Sequence, residues 1–251
     1  MLAQAPVWRH LVYKFMMKFN FRAIGLCLCL AGAVAPGVSS AQVDEDQAGS
    51  WYMYFWNVPA GDKAFGFQGD IQHRNWDSGG DLEQLLIRGG VTWRPEGGAT
   101  QFTLGVANIA SEPYGPSGEA VRENRLYQEA SIPQRVGRRL FLTHRFRFEQ
   151  RWVDQQDFRL RGRYFFGLNY PFNQDDLGKG ARYFSFYNET FINLNRDIGD
   201  GRSVDAFDRN RLYAAVGFSL TDTLRLQVGY MHQQNNAFGK GQLQFGLFHT
   251  L

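Results

Sequence analysis

Residues 140–171 constrain the fold more than any other part of the chain. They read LFLTHRFRFEQRWV, a polar break DQQD, then FRLRGRYFFGLNYP. In the first half Leu142, Phe146, Phe148 and Trp152 share one parity, and Thr143, Arg145, Arg147, Glu149 and Arg151 share the other. In the second half Phe158, Leu160, Tyr164, Phe166, Leu168 and Tyr170 alternate with Arg159, Arg161, Arg163 and Asn169. A period of two predicts extended strand, since successive Cβ atoms point to opposite faces. A soluble sandwich would turn its aromatics inward and its arginines to water. A membrane barrel inverts that arrangement, with apolar rows toward lipid and polar rows toward the lumen. So many arginines on one face need a wet or well-paired surface, and an enclosed lumen is the expectation.

Composition agrees. The chain has 251 residues, 16% aromatic, with 28 glycines, a balance that suits a β-barrel better than a helical protein. No apolar run of about twenty residues follows the N-terminal segment, so no helical span is expected. The net charge of +3 is misleading, because the first 41 residues hold Arg9, Lys14, Lys18 and Arg22 and no acid. What remains is 23 bases against 24 acids, which gives no reason to expect a nucleic-acid partner. Only Lys63, Lys179 and Lys240 of those bases are lysine. Arginine suits confined pairing, because its planar fork bonds carboxylates bidentately and stays charged. Both cysteines, Cys27 and Cys29, also lie in the first 41 residues, so thiol and disulfide chemistry are not expected of the remainder.

Residues 16–41 read as a secretory signal. Lys18 and Arg22 form the basic region, an apolar run follows, and Ser39-Ser40-Ala41 is a small-x-small cleavage site. Cleavage is expected after Ala41, and residues 1–15 look like an over-extended start. A single barrel domain is expected over 42–251. Trp51–Trp56, WYMYFW, is apolar on both parities; an aromatic-girdle strand is the main expectation, a plug or ligand-stacking segment the alternative.

Alternating segments then follow one another. Examples are Phe65, Phe67 and Ile71 against Gln68, Asp70, Gln72 and Arg74, and Leu85, Ile87 and Val91 against Arg88 and Thr92. Near the end come Leu212, Val216 and Phe218 against Arg211 and Tyr213. No segment keeps a helical period. Tight breaks are expected at 94–99, 135–138 and 221–223, with long polar loops at 111–123 and 195–208. Short turns at one end and long loops at the other are the outer-membrane habit. The count comes to eleven with WYMYFW included, but bacterial single-chain barrels have even numbers of strands. Ten or twelve strands are therefore expected. The fold class is all-β, an antiparallel up-and-down transmembrane β-barrel following a cleaved signal peptide.

The runs FRFEQRW, RLRGRYFFGLNYPF, YNETFINLN (187–195) and DRNRLYAAVGFSLTDTLRLQVGYMHQ (from 208), with RGGVTWRP (88–95), together resemble the bacterial domain of unknown function 2490 family. The likeness covers about residues 50–251. It implies a barrel-like envelope protein and brings no established activity or catalytic residue.

The expected site is the arginine ladder: Arg145, Arg147, Arg151, Arg159, Arg161, Arg163 and Arg211, with Glu129, Glu149 and Glu189 on the same face. Arginines packed on neighbouring strands repel unless acids intervene. The arrangement is either a structural salt-bridge lattice or a passage favouring anions, on the logic of charged rings in pores. An interfacial lipid enzyme is the weaker alternative. His144 and His232 are its candidates, but no G-x-S-x-G elbow accompanies them, and no enzyme is expected. Asp197, Asp200, Asp205 and Asp208 fall in the longest loop. With Gly201 set as the turn glycine, Arg196 and Ile198 occupy calcium-ligand positions, so that motif fails and no metal is expected. Loose divalent bridging to lipopolysaccharide is the sharper alternative for this loop. Gly239-Lys240-Gly241 reads as a turn, and Asn188-Glu189-Thr190 as a chance glycosylation match inside a strand. No cofactor is expected. The expected setting is the outer membrane of a Gram-negative bacterium. Partners there would be its lipid and lipopolysaccharide, the barrel-assembly machinery and small anionic solutes. The barrel would act as a small passive channel or solute-binding barrel, or alternatively as a closed structural or adhesion-type barrel working through its loops.

Overall fold

A computed structural model describes residues 43–59, 64–115 and 119–251; the expected signal segment and its cleavage site lie outside them. Eleven strands follow in chain order: β1 (Gly49–Val58), β2 (Phe65–Asn75), β3 (Leu82–Trp93), β4 (Gln101–Ser111), β5 (Val121–Val136), β6 (Leu140–Val153), β7 (Arg159–Pro171), β8 (Arg182–Asn193), β9 (Phe207–Ser219), β10 (Leu224–Gln234) and β11 (Gly239–Thr250). Each pairs with its neighbours in sequence, and β1 closes the barrel against β11. Closure leaves no free edge, so every strand's backbone groups find partners on both sides.

The expectation of ten or twelve strands is corrected to eleven. WYMYFW is a complete strand, running in register from Gly49 opposite Gln242 to Asn57 opposite Thr250. In an up-and-down barrel with an odd number of strands, the first and last run the same way. The β1–β11 seam is therefore parallel, while every other pair is antiparallel. The two parities of β1 are both apolar because both meet apolar partners. Tyr52 stacks on Phe245 on the outside, with ring centroids 5.2 Å apart. Phe55 stacks on Phe248 at 4.8 Å, and both rings line the interior.

The alternation read from the sequence sorts outside from inside on strand after strand. Phe146 is 51% exposed and Val216 63%, while Arg147 between Phe146 and Phe148 is 6% exposed. Polar residues in the outward rows satisfy one another across strands. Asn108 donates to Asn124 at 2.9 Å, and Asn210 donates to Thr190 at 2.8 Å. Inside, two rings lie flat over glycines of the next strand. The Tyr127 ring covers Gly105 and the Tyr183 ring covers Gly217, where any Cβ would collide with the ring.

Several boundaries move. The expected loop 111–123 ends sooner, since β5 begins at Val121 and Glu123 points inward. The loop 195–208 likewise yields Asp208 to β9. The turn expected at 135–138 sits at 137–139, and Gly239-Lys240-Gly241, expected as a turn, instead opens β11. Connections do not sort cleanly by length. The ten-residue link 172–181 shares an end with the tight turns and with Leu251, and the four-residue link 235–238 lies at the other end.

Candidate functional site

Strands β5 to β9 bring an arginine–carboxylate lattice into the lumen. Cross-strand register places Arg147 opposite Arg163 and Arg151 opposite Arg159, like charges face to face. Only carboxylates set between them make that tolerable. Glu149, fully enclosed, accepts from Arg161 Nη2 at 2.6 Å and Arg163 Nη1 at 2.7 Å. Glu189 accepts from Arg163 at 2.7 Å and Arg145 at 2.8 Å. Glu129 accepts from Arg147 Nε at 2.6 Å. Glu123 pairs with Arg125 at 2.6 Å and also with Arg151. The chain of pairs continues from Arg161 to Asp208 at 2.6 Å, and Arg88 and Asp70 form a separate bidentate pair on β2 and β3.

All ten residues expected from the sequence therefore face the interior. Eight of them join carboxylate pairs; Arg159 and Arg211 do not. The sequence missed Asp70, Arg74, Arg88, Glu123, Arg125, Asp208 and Arg209 as site members. Asp70, Arg74, Arg88 and Arg125 were already on the polar parity of their strands, and that was the signal that would have found them. Glu123 and Asp208 were hidden because each sits two or three residues inside a strand whose start reads as loop.

Aromatic rings hold the lattice from within. Phe191 has the guanidinium carbons of Arg163, Arg211 and Arg161 at 4.3, 4.9 and 5.2 Å from its ring centre. Guanidinium planes stack on such rings where an ammonium would demand water. This accounts for the near absence of lysine. Among the described residues the one buried lysine, Lys240, donates to the carbonyls of Asp44 and Gln47, both at 2.6 Å, and so ties the segment before β1 to β11.

The balance of charge inside is cationic. Among the described residues, nine buried arginines face six buried carboxylates. On the amide-rich wall formed by β9–β11 and β1–β3, Arg74 is held by Gln72 and Gln84 and lies 3.8 Å over Trp51. Arg211 donates Nε to Gln233 at 2.8 Å and lies 4.8 Å from the same indole. The Trp51 indole N–H is donated to Glu83 at 2.9 Å.

A cavity of about 500 Å³ occupies the space between these walls. On β6 it is lined by Thr143 and Arg145 toward one end and by Arg151 and Val153 toward the other. Arg161, Arg163 and Arg211 line one level of it, and Phe165, Tyr187 and Tyr213 on the same three-strand wall, with Phe55 and Phe248, line the next level toward the end that holds Leu251. The histidines considered for lipid chemistry are elsewhere. His144 sits on the outward parity with its Nδ1 2.9 Å from the Tyr164 hydroxyl, and His232 is exposed. No group of residues among those described is arranged to hold a metal ion. Of the four loop aspartates, Asp197 accepts the Gly199 amide within its own loop, Asp200 pairs with Arg202, Asp205 accepts from Asn236 and Asp208 has joined the lattice.

The model of a family described as a protein of unknown function (DUF2490) matches residues 48–244. No curated protein and no solved structure matches the chain.

Proposed function

The chain belongs to the DUF2490 family, and for this member we propose an outer-membrane barrel of a Gram-negative bacterium whose lumen binds and passes small anions. The observation that carries this is the cationic surplus facing a cavity that runs nearly the length of the strands. From Thr143 to Val153 the lining covers about 33 Å of strand. At a tilt of roughly 40° this is about 25 Å of height, close to the apolar band of such barrels. A cavity of about 500 Å³ within that height is room for water and small solutes beside the arginines. The apolar outward rows would face lipid, with lipopolysaccharide against the loop end and the assembly machinery reading the C-terminal strand.

A second reading, a closed structural or adhesion-type barrel, has its own support. The ion-pair lattice is continuous from β5 to β9, and a lumen sealed by it would leave the loops as the working surface. Reversal potential across a planar bilayer under a potassium chloride gradient separates the two. Anion selectivity is expected; a reconstituted barrel that never conducts would favour the sealed alternative.

A further inference from the structure

The cavity is cationic at one level and aromatic at the next, since Tyr213 follows Arg211 on the inward row of β9 and Phe165 follows Arg163 on that of β7, and an inorganic ion would use only the cationic part. We propose that the lumen site is selective for small carboxylates carrying a flat hydrophobic body, that is, aromatic acids. The inference rests on the lumen being a solute site, and it names the solute.

Arg211 would take the carboxylate. Its Nε is held by Gln233, which fixes the plane of the guanidinium, while no carboxylate among the described residues lies within 4 Å of it. Glu189, directly opposite on β8, is turned toward Arg163 and Arg145 instead. Arg211 is thus a charged fork with no charged partner, and a bidentate carboxylate is the ligand its geometry fits. On β11, Gln244, the register partner of Trp51, accepts the Tyr187 hydroxyl at 3.3 Å through Oε1.

The ring would lie at the aromatic level. Tyr187 stacks on Tyr213 with centroids 4.6 Å apart, and Phe165 stands 5.2 Å from Tyr187. Trp51, which Arg211 covers, packs in the same cluster as Tyr213 with Tyr187 against it. The head and body positions are therefore contiguous. The cavity volume is that of small-ligand sites, roughly 300–1,000 Å³.

Titration of the full chain in lipid nanodiscs, followed by calorimetry, tests this with benzoate, benzamide and acetate. Benzamide keeps the ring and loses the charge; acetate keeps the charge and loses the ring. Benzoate is expected to bind about tenfold or more tightly than either, since a charge-assisted bidentate contact and a stacked ring are each worth a factor of that order. Arg211→Gln is expected to reduce benzoate to the benzamide level and leave benzamide unchanged. Benzoate equal to benzamide would overturn the arginine site. Acetate equal to benzoate would overturn the aromatic selection, even where anion-selective conductance holds and the channel itself stands. If Arg211→Gln does not fold, the comparison of the three probes on the unaltered chain decides alone.

Discussion

At the scale of single residues, Glu149 is where the lattice is most sensitive. It is the shared acceptor for Arg161 and Arg163, with Arg125 and Arg147 at 3.9 Å. Burying ions is costly, and removing one partner leaves the others uncompensated. Glu149→Gln is therefore expected to destabilise the barrel by about 3 kcal/mol, read as a lower urea midpoint. The same substitution raises the lumen's positive charge, so any surviving conductance should shift further toward anions. Outside the strands, Asp77 accepts the amides of Gly80, Gly79 and Asp81 at 2.6, 2.8 and 3.1 Å. Those bonds, Gly80's first, hold its carboxyl below the ordinary carboxylate range. Because the folded value is the lower one, this contribution is full above the ordinary pKa and lost as pH falls through the depressed one. Protection of the Gly79 and Gly80 amides from hydrogen exchange should accordingly fall on acidification. In Asp77→Asn, protection should be reduced and independent of pH over that range. Protection that does not change with pH in the unaltered chain would show that the carboxylate does not order this loop.

At the scale of elements, the seam is the least expected feature and the most open to direct trial. The alternation of β6 and β7 was readable because one of their faces is guanidinium and the other ring. That contrast survives whatever the partner strand is. Trp51–Trp56 offered no such contrast, since its inner row lines the cavity with apolar side chains and its outer row stacks on β11. Strand order and direction at closure depend on the parity of the whole count, which no local window contains. Glu123 and Asp208 were illegible for local reasons: Glu123 closely follows a Gly-, Pro- and Ser-rich stretch, and Asp208 lies where the β8–β9 register shifts, so strict alternation does not reach it. With Cys27 and Cys29 changed to alanine, the pair Tyr52→Cys and Phe245→Cys should form a disulfide on mild oxidation. They are direct partners across β1 and β11. Tyr52→Cys with Phe248→Cys, three residues out of register on the opposite face, should not. The reverse result on a heat-modifiable gel would mean that the seam has another register or direction.

At the scale of the whole molecule, the proposed setting depends on whether the outward rows meet hydrocarbon. The outward rows are largely apolar, with amides such as Asn108 and Asn210 paired across strands, and the inward rows carry a cationic lattice around a cavity. A soluble barrel with this sequence would have to leave Phe146, Leu104 and Val216 in water. Spin labels at positions 104, 146 and 216, each in turn, in bilayer-reconstituted protein test this most directly, through relaxation by oxygen, which concentrates in lipid, and by a water-soluble nickel chelate. Strong relaxation by oxygen and little by nickel at all three positions is the predicted result. Nickel relaxing all three as readily as it relaxes a label in the 195–206 loop would contradict it.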